Sequence, residues 1–344
     1  MATSHLDGFL LTSLENIRYL CGFTGSDGAL VLTPEKSFFL TDSRYWTQSE
    51  EEVKESETVR YKKKIEGIIS LLSDLKLKQI GFESASLTLS TYRTLSQRLS
   101  DDAKLLPLEE ELKNLRAVKD TGELDLIHKA IDISSKAFSQ MVQGLKEDVT
   151  EREAALEMEF SMKKNGADDL GFDIIVASGK RSALPHGKAS EKRIGKGDFI
   201  LIDFGSGFQG YHSDQTRTLV CGQPSSEQKK VYQVVREAQQ KAIEKVQPGV
   251  PLSEIDGAAR DYIRDQGYGD FFGHALGHGI GLAVHEDPGV NYENKELAQE
   301  RMVFTIEPGI YIPDWGGVRI EDMVRVTSQG AELLTTLPRD LKVI

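Results

Sequence analysis

The chain has 344 residues, enough for two domains with separate cores, and its 39% hydrophobic and 28% charged residues are those of a soluble globular protein. A net charge of −12 works against a nucleic-acid partner, and no apolar run approaches the ~20 residues that span a bilayer. Cys21 and Cys221 are the only cysteines, too few for a disulfide framework or a thiolate zinc site, and MATSHLDGFLL lacks the basic-then-apolar pattern of a secretory leader, so the expected setting is reducing and cytoplasmic.

Short apolar runs at 8–12, 17–20, 29–32 and 37–40 have the length of strands. The last two flank Thr33-Pro34-Glu35-Lys36, which suits a hairpin turn. Tyr45 and Trp46 read as core, and the acidic run 50–57 as solvated surface. A helix is expected over 65–75 and a strand over 79–82. Together these make a small α/β domain that ends in the acidic, proline-containing segment 106–115.

A long helix follows. Asp120 can cap it, with Glu123 three residues on to complete a capping box. Leu124, Ile127, Ile131, Ser134, Phe138, Met141 and Leu145 recur at spacings of three and four, the stripe of a helix with one buried face. His128 falls one residue past that stripe and reads as structural; His5 lies outside every motif.

From here the chain echoes itself. GLKEDVTEREAA (144–155) resembles VQPGVPLSEIDGAA (246–259), and at an offset of 101 Val149 matches Val250, Glu153 matches Glu254 and Gly166 matches Gly267. Each half then reaches a histidine, in ALPHG at His186 and LAVHE at His285. Each ends in a strand, FILIDFG or VFTIEPG. The shared order favours a duplication over a chance likeness of two helix-helix-strand units.

The repeat locates the acids. Asp203 ends one strand and Asp214 follows beyond Gly205, Gly207 and Gly210; Glu307 ends the other and Glu321 follows beyond Pro313, Gly316 and Gly317. Two hairpins, each with one acid per strand, would bring four carboxylates together if the halves face one another. Four such groups cannot all stay ionised without counter-charge, and a pair of divalent cations supplies it. The alternative is ordinary ion pairing with Arg217 and Arg319, which four matching acids beside a histidine cluster argue against.

That cluster is GHALGHGIGLAVHE (273–286), which holds three of the seven histidines. Its four glycines, at about 1 kcal/mol each, oppose a helix, and an irregular strand fits better. His274 and His278 would share one face of such a strand, with His285 opposite if it stayed regular. His285 also precedes an expected turn at Asp287-Pro288-Gly289.

Asp203, Asp214, GHGIG at His278, IEPG at Glu307 and RIED at Glu321 resemble the five-ligand signature of the pita-bread metallopeptidases. LPHG at His186, VHE at His285, LRAVKDTGELDLI (115–127) and the extra N-terminal domain resemble the proline-specific branch, Xaa-Pro dipeptidases (prolidases) and Xaa-Pro aminopeptidases. The resemblance implies an α+β pita-bread domain with pseudo-twofold duplication over 116–344, preceded by a creatinase-like α/β domain over 1–115. It implies hydrolysis of the Xaa-Pro bond of dipeptides or short peptides by a homodimer. Asp203 would hold one metal, His278 and Glu307 the other, and Asp214 and Glu321 both. Glu307 would also take a proton from the nucleophilic water. His186, His274 and His285 would contact substrate and the developing oxyanion, and Arg319 would hold a ligand carboxylate. An oxygen-rich set with one imidazole favours manganese, with cobalt, zinc or iron as alternatives.

His212 stands where the family pattern has a small residue, either as a solvent-facing strand residue or on the rim of the site. Metal-free relatives of this fold, whether creatinase-like or binding proteins, lose one or more of the five ligands, and none is lost here. Methionine aminopeptidases share the ligands but lack a comparable N-terminal domain.

Overall fold

The computed structural model describes residues 6–108 and 113–344; His5 and the 109–112 part of the expected domain boundary lie outside the described residues. The chain divides into two compact units, one up to residue 112 and one from 113 onward.

The first unit is built on strands β1 (Gly8–Leu11), β2 (Ala29–Leu32), β3 (Ser37–Thr41), β4 (Glu57–Arg60), β5 (Gln79–Glu83) and β6 (Lys104–Leu108), in the order β4-β3-β2-β1-β5-β6. The β2–β3 pair is the hairpin around 33–36, with Thr33 and Lys36 bonded through their backbones. Helices α1 (Leu14–Cys21), α2 (Trp46–Glu52), α3 (Lys64–Asp74) and α4 (Leu89–Arg98) connect the strands. Three expectations fail here. Residues 17–20 lie in α1, not in a strand: the Ser13 hydroxyl accepts from the Asn16 amide at its start, and Gly22 closes it at φ 79°. Residues 106–108 pair with β5 instead of forming a linker. Tyr45 packs into a core with Phe23 and Phe39, whereas Trp46 is 36% exposed. The acidic run is largely exposed, except that Val53 is buried and Glu52 accepts from the Thr24 amide.

The second unit opens with α5 (Lys113–Ala117) and α6 (Thr121–Gly144), whose capping box closes both ways between Asp120 and Glu123. All seven stripe residues are buried, and His128 is exposed on the opposite face. Next come α7 (Glu151–Lys164), β7 (Ile175–Ser178), β8 (Phe199–Phe204), the short ribbon β9 (Gly207–Phe208) and β10 (Tyr211–His212), and β11 (Gln215–Val220). The second half repeats the order: α8 (Ser226–Lys245), α9 (Leu252–Asp265), β12 (Gly277–Gly279), β13 (Glu286–Val290), β14 (Val303–Ile306), ribbon β15 (Gly309–Ile312) and β16 (Gly316–Arg319), and β17 (Asp322–Thr327). Strands β18 (Gly330–Leu333) and β19 (Lys342–Val343) close the chain.

Both α7 and α9 have 14 residues and stand 101 positions apart, each followed by a glycine at positive φ, Gly166 and Gly267. The sheets run β19-β11-β8-β7 and β13-β12-β14-β17-β18, so β11-β8-β7 answers to β17-β14-β12. Each half has its own core: α6 and α7 pack on the first sheet through Phe138, Met158 and Phe204, and α8 and α9 on the second through Val235, Ile255 and Phe304. A bridge between Thr216 and Glu321 joins the two sheets where the acids lie. Among the described residues, no helix is long and apolar enough to cross a membrane.

Candidate metal centre

Each acid sits where a strand begins or ends. Asp203 lies in β8 and Asp214 just before β11; Glu307 follows β14 and Glu321 precedes β17. In both halves the two strands pair antiparallel, so the acids of each half meet at one end of a hairpin. Asp214, His278 and Glu321 each bring a ligand atom within 4.8 Å of the other two. Asp203 and Glu307 stand outside that three-atom cluster. Glu307 Oε1 lies 3.4 Å from His278 Nε2, and Asp203 Oδ2 accepts from Arg319 Nη2 at 2.6 Å.

The protein balances only part of the charge of these acids, through Arg319 at Asp203. Burial pushes the carboxyls of Asp214 and Glu321 well above their usual range, and neighbouring carboxylates push them further. Burial likewise lifts Glu307 to about 8, Arg319 opposing and Asp203 adding to the rise. The buried Oδ1 atoms of Asp203 and Asp214 have no hydrogen-bond partner. Buried acceptors without donors are costly, and divalent cations would satisfy these. His278 is arranged to match. Its Nδ1 faces the carbonyl of Gly279 at 3.0 Å and so carries the proton, which leaves the Nε2 lone pair facing Asp214 and Glu307. Burial depresses its pKa to about 4, keeping it in the neutral form a metal requires.

Small donors and glycines hold the ligands in place. The Thr216 hydroxyl donates to Glu321 Oε2 at 2.7 Å, and the Thr305 hydroxyl donates to Glu307 Oε1 at 3.3 Å while accepting from the His278 amide. A Cβ at Gly277 would run into the Thr305 carbonyl, and one at Gly279 into the Asp287 carbonyl. The irregular strand of 273–286 thus packs its backbone closer than any larger residue allows.

Residues 125–328 match metallopeptidase family M24, and residues 1–118 match the creatinase/prolidase N-terminal domain. The chain belongs to metallopeptidase family M24. It is 40% identical to the Xaa-Pro dipeptidase of Pyrococcus horikoshii over 99% of this chain and 96% of that one. Among solved structures, the Xaa-Pro dipeptidase from Bacillus anthracis has a TM-score of 0.95 at 40% identity, covering 98% of this chain and 95% of that one. An X-Pro aminopeptidase from Thermotoga maritima has a TM-score of 0.90 at 43% identity, covering 98% of each. This M24 chain therefore has the pita-bread fold, and divalent metal ions are its cofactor.

His285 lies beside His278, differently from the regular-strand expectation. The register between β12 and β13 shifts after His278, and the chain turns before β13, so the His285 ring comes to 4.2 Å from the His278 ring. Residues 287–289 belong to β13, where Gly289 pairs with His278, and do not form the expected turn. His274 uses both nitrogens. Nδ1–H donates to the Ala275 carbonyl at 2.7 Å, and Nε2, unprotonated because burial lowers its pKa to about 4, accepts from the Tyr311 hydroxyl at 3.0 Å. Arg260, paired with buried Asp256, fixes the His274 carbonyl. His186 is exposed on a loop pinned by buried Glu151, which accepts from the amides of Ser178 and Ser190. His212 is not solvent-facing: its amide and ring both meet the Gly281 carbonyl, and its side chain is 12% exposed.

Arg319 is the hub. Its guanidinium reaches Asp203, the Thr216 hydroxyl, the Pro185 carbonyl beside His186, and the Tyr311 hydroxyl. Arg217 instead pairs with Asp322 and the Glu321 carbonyl. Tyr311, Thr216 and Thr305 escaped the sequence reading. Tyr311 had one signal, an aromatic residue on the ribbon strand paired with Arg319's own; the two threonines had none.

Proposed function

We propose that this M24 chain hydrolyses the Xaa-Pro bond at the N-terminus of dipeptides and short peptides, as a two-metal exopeptidase. The observation that carries the reading is the set Asp203, Asp214, His278, Glu307 and Glu321, with the unpartnered oxygens of Asp203 and Asp214 and an imidazole in the ligating tautomer. The relatives named for Xaa-Pro cleavage give the substrate class. Asp203 would hold one ion, His278 and Glu307 the other, and Asp214 and Glu321 both. When bound, the pair of ions polarises the scissile carbonyl and makes a water nucleophilic near neutral pH.

The protein's own groups do the rest. Arg319 fixes Asp203 and Thr216 fixes Glu321, so neither carboxylate has to reorganise during turnover. Glu307 takes the proton from the attacking water. His186 and His285, both exposed at the site, meet the substrate and the developing oxyanion. His274 is expected there too, but with its Nε2 on Tyr311 it reaches substrate only if that bond opens. Manganese is the metal this oxygen-rich set favours, and a cytoplasmic homodimer acting on short proline peptides completes the reading.

The test compares a Xaa-Pro dipeptide with a Xaa-Pro-Xaa tripeptide in added manganese. Cleavage of the dipeptide alone marks a dipeptidase, and of the tripeptide an aminopeptidase. Cleavage of neither by the manganese-loaded protein refutes the proposal.

A further inference from the structure

His285 is carried by the loop 280–285, and the groups that grip this loop lie outside the metal centre. Glu286, the next residue, has a side chain 5% exposed; its Oε1 accepts from Lys119 Nζ at 2.9 Å and its Oε2 from Arg116 Nη2 at 2.6 Å. The Lys119 side chain is 0% exposed. The same Oε2 accepts from the Ala283 amide at 3.3 Å. A Cβ at Gly281 would stand 2.5 Å from Glu286 Oε1 and 3.2 Å from Lys119 Cε, so the loop backbone lies directly on the ion cluster. On its other edge the Gly281 carbonyl accepts from the His212 amide at 2.9 Å.

An apolar staple could join the start of the unit to β13 without the desolvation that a buried lysine entails. It could not hold the Ala283 amide or fit against the bare face of Gly281. The charges sit where they set the path of the loop, and that path places the His285 ring 4.2 Å from His278. We propose that Glu286, clamped by Lys119 and Arg116, is a positioning residue that fixes the 280–285 loop and thereby the His285 imidazole. This rests on the reading that His285 contacts substrate during turnover.

The experiment is a cycle on the manganese-loaded full chain with a Xaa-Pro substrate. Glu286→Gln is combined with Lys119→Met, so that the fully buried lysine is not left without its carboxylate, and the pair is placed in the wild-type and His285→Ala backgrounds. Positioning predicts unchanged metal content, a kcat lower by about 10-fold to 10²-fold in the wild-type background, and KM within about two-fold. In the His285→Ala background the same pair should change kcat by less than about two-fold. Gly281→Ala, which displaces the Glu286 carboxylate but keeps every charge, should behave likewise and decides the matter if the paired variant does not fold. An equal kcat loss in both backgrounds, or no loss in wild type, overturns the proposal. If His285→Ala alone turns over normally, it is the reading of His285 that fails.

Discussion

Arg319 Nη2 lies 2.6 Å from Asp203 Oδ2, while Asp203 Oδ1 is buried without a partner. One oxygen is thus fixed by a cation of the protein and the other is left for a cation from outside. The same guanidinium reaches the hydroxyl of Tyr311, which donates to His274, and the carbonyl that precedes His186. Both halves of the duplicated unit are tied through one side chain.

Arg319→Met should therefore loosen Asp203 and the metal together. Losing such an outer contact lowers metal affinity by about 10-fold to 100-fold. Arg319→Lys should recover only part, because one ammonium cannot serve four spread acceptors. Titration of the metal-free variants with manganese reads this directly; wild-type affinity in Arg319→Met would refute it.

His278 and His285 should separate by metal content. His278→Ala should lose both metal and activity. His285→Ala should keep its metal and lose turnover by about 10² to 10³-fold. Metal analysis after identical reconstitution checks it, and a metal-depleted His285 variant would show the assignment to be wrong.

Gly277→Ala drives its methyl into the backbone carbonyl of Thr305, a contact with no flexible side chain to yield. The expected result is a loss of about 1–3 kcal/mol in stability, accompanied by weaker metal binding because His278 is the next residue. Thermal melts of the holoprotein would contradict this if they overlay those of wild type.

Chelation should destabilise the second unit, since four clustered carboxylates, two of them buried, are then left to repel one another. An ion present at about 100 times its Kd contributes about 2.7 kcal/mol. Removing it should lower the melting temperature by about 5 °C or more, with recovery on adding manganese. Identical melts with and without chelator would argue against a bound ion.

The sequence alone determined whatever depends on neighbours within one element. The Asp120–Glu123 capping box, the seven-residue stripe of α6 and the 33–36 hairpin are local patterns whose partners lie a few positions away. The duplication was legible because α7 and α9 kept their lengths, and through it the four acids could be placed at matching strand ends. The strand expected at 17–20 failed although its correction was also local: Ser13 and Gly22 mark both ends of a helix, and a four-residue apolar run carries no period of its own. Tertiary structure decided the rest. His285 lies beside His278 because the chain turns back over 280–285 and the β12–β13 pairing jumps from His278 with Gly289 to Gly279 with Glu286, which no pattern within the strand announces. His212 turned inward because Gly281, 69 residues away, offers its carbonyl, and Lys119 is buried because Glu286 meets it across 167 residues. Pairings at such separations are set by how sheets and loops pack on each other, and no period or spacing in the chain encodes them.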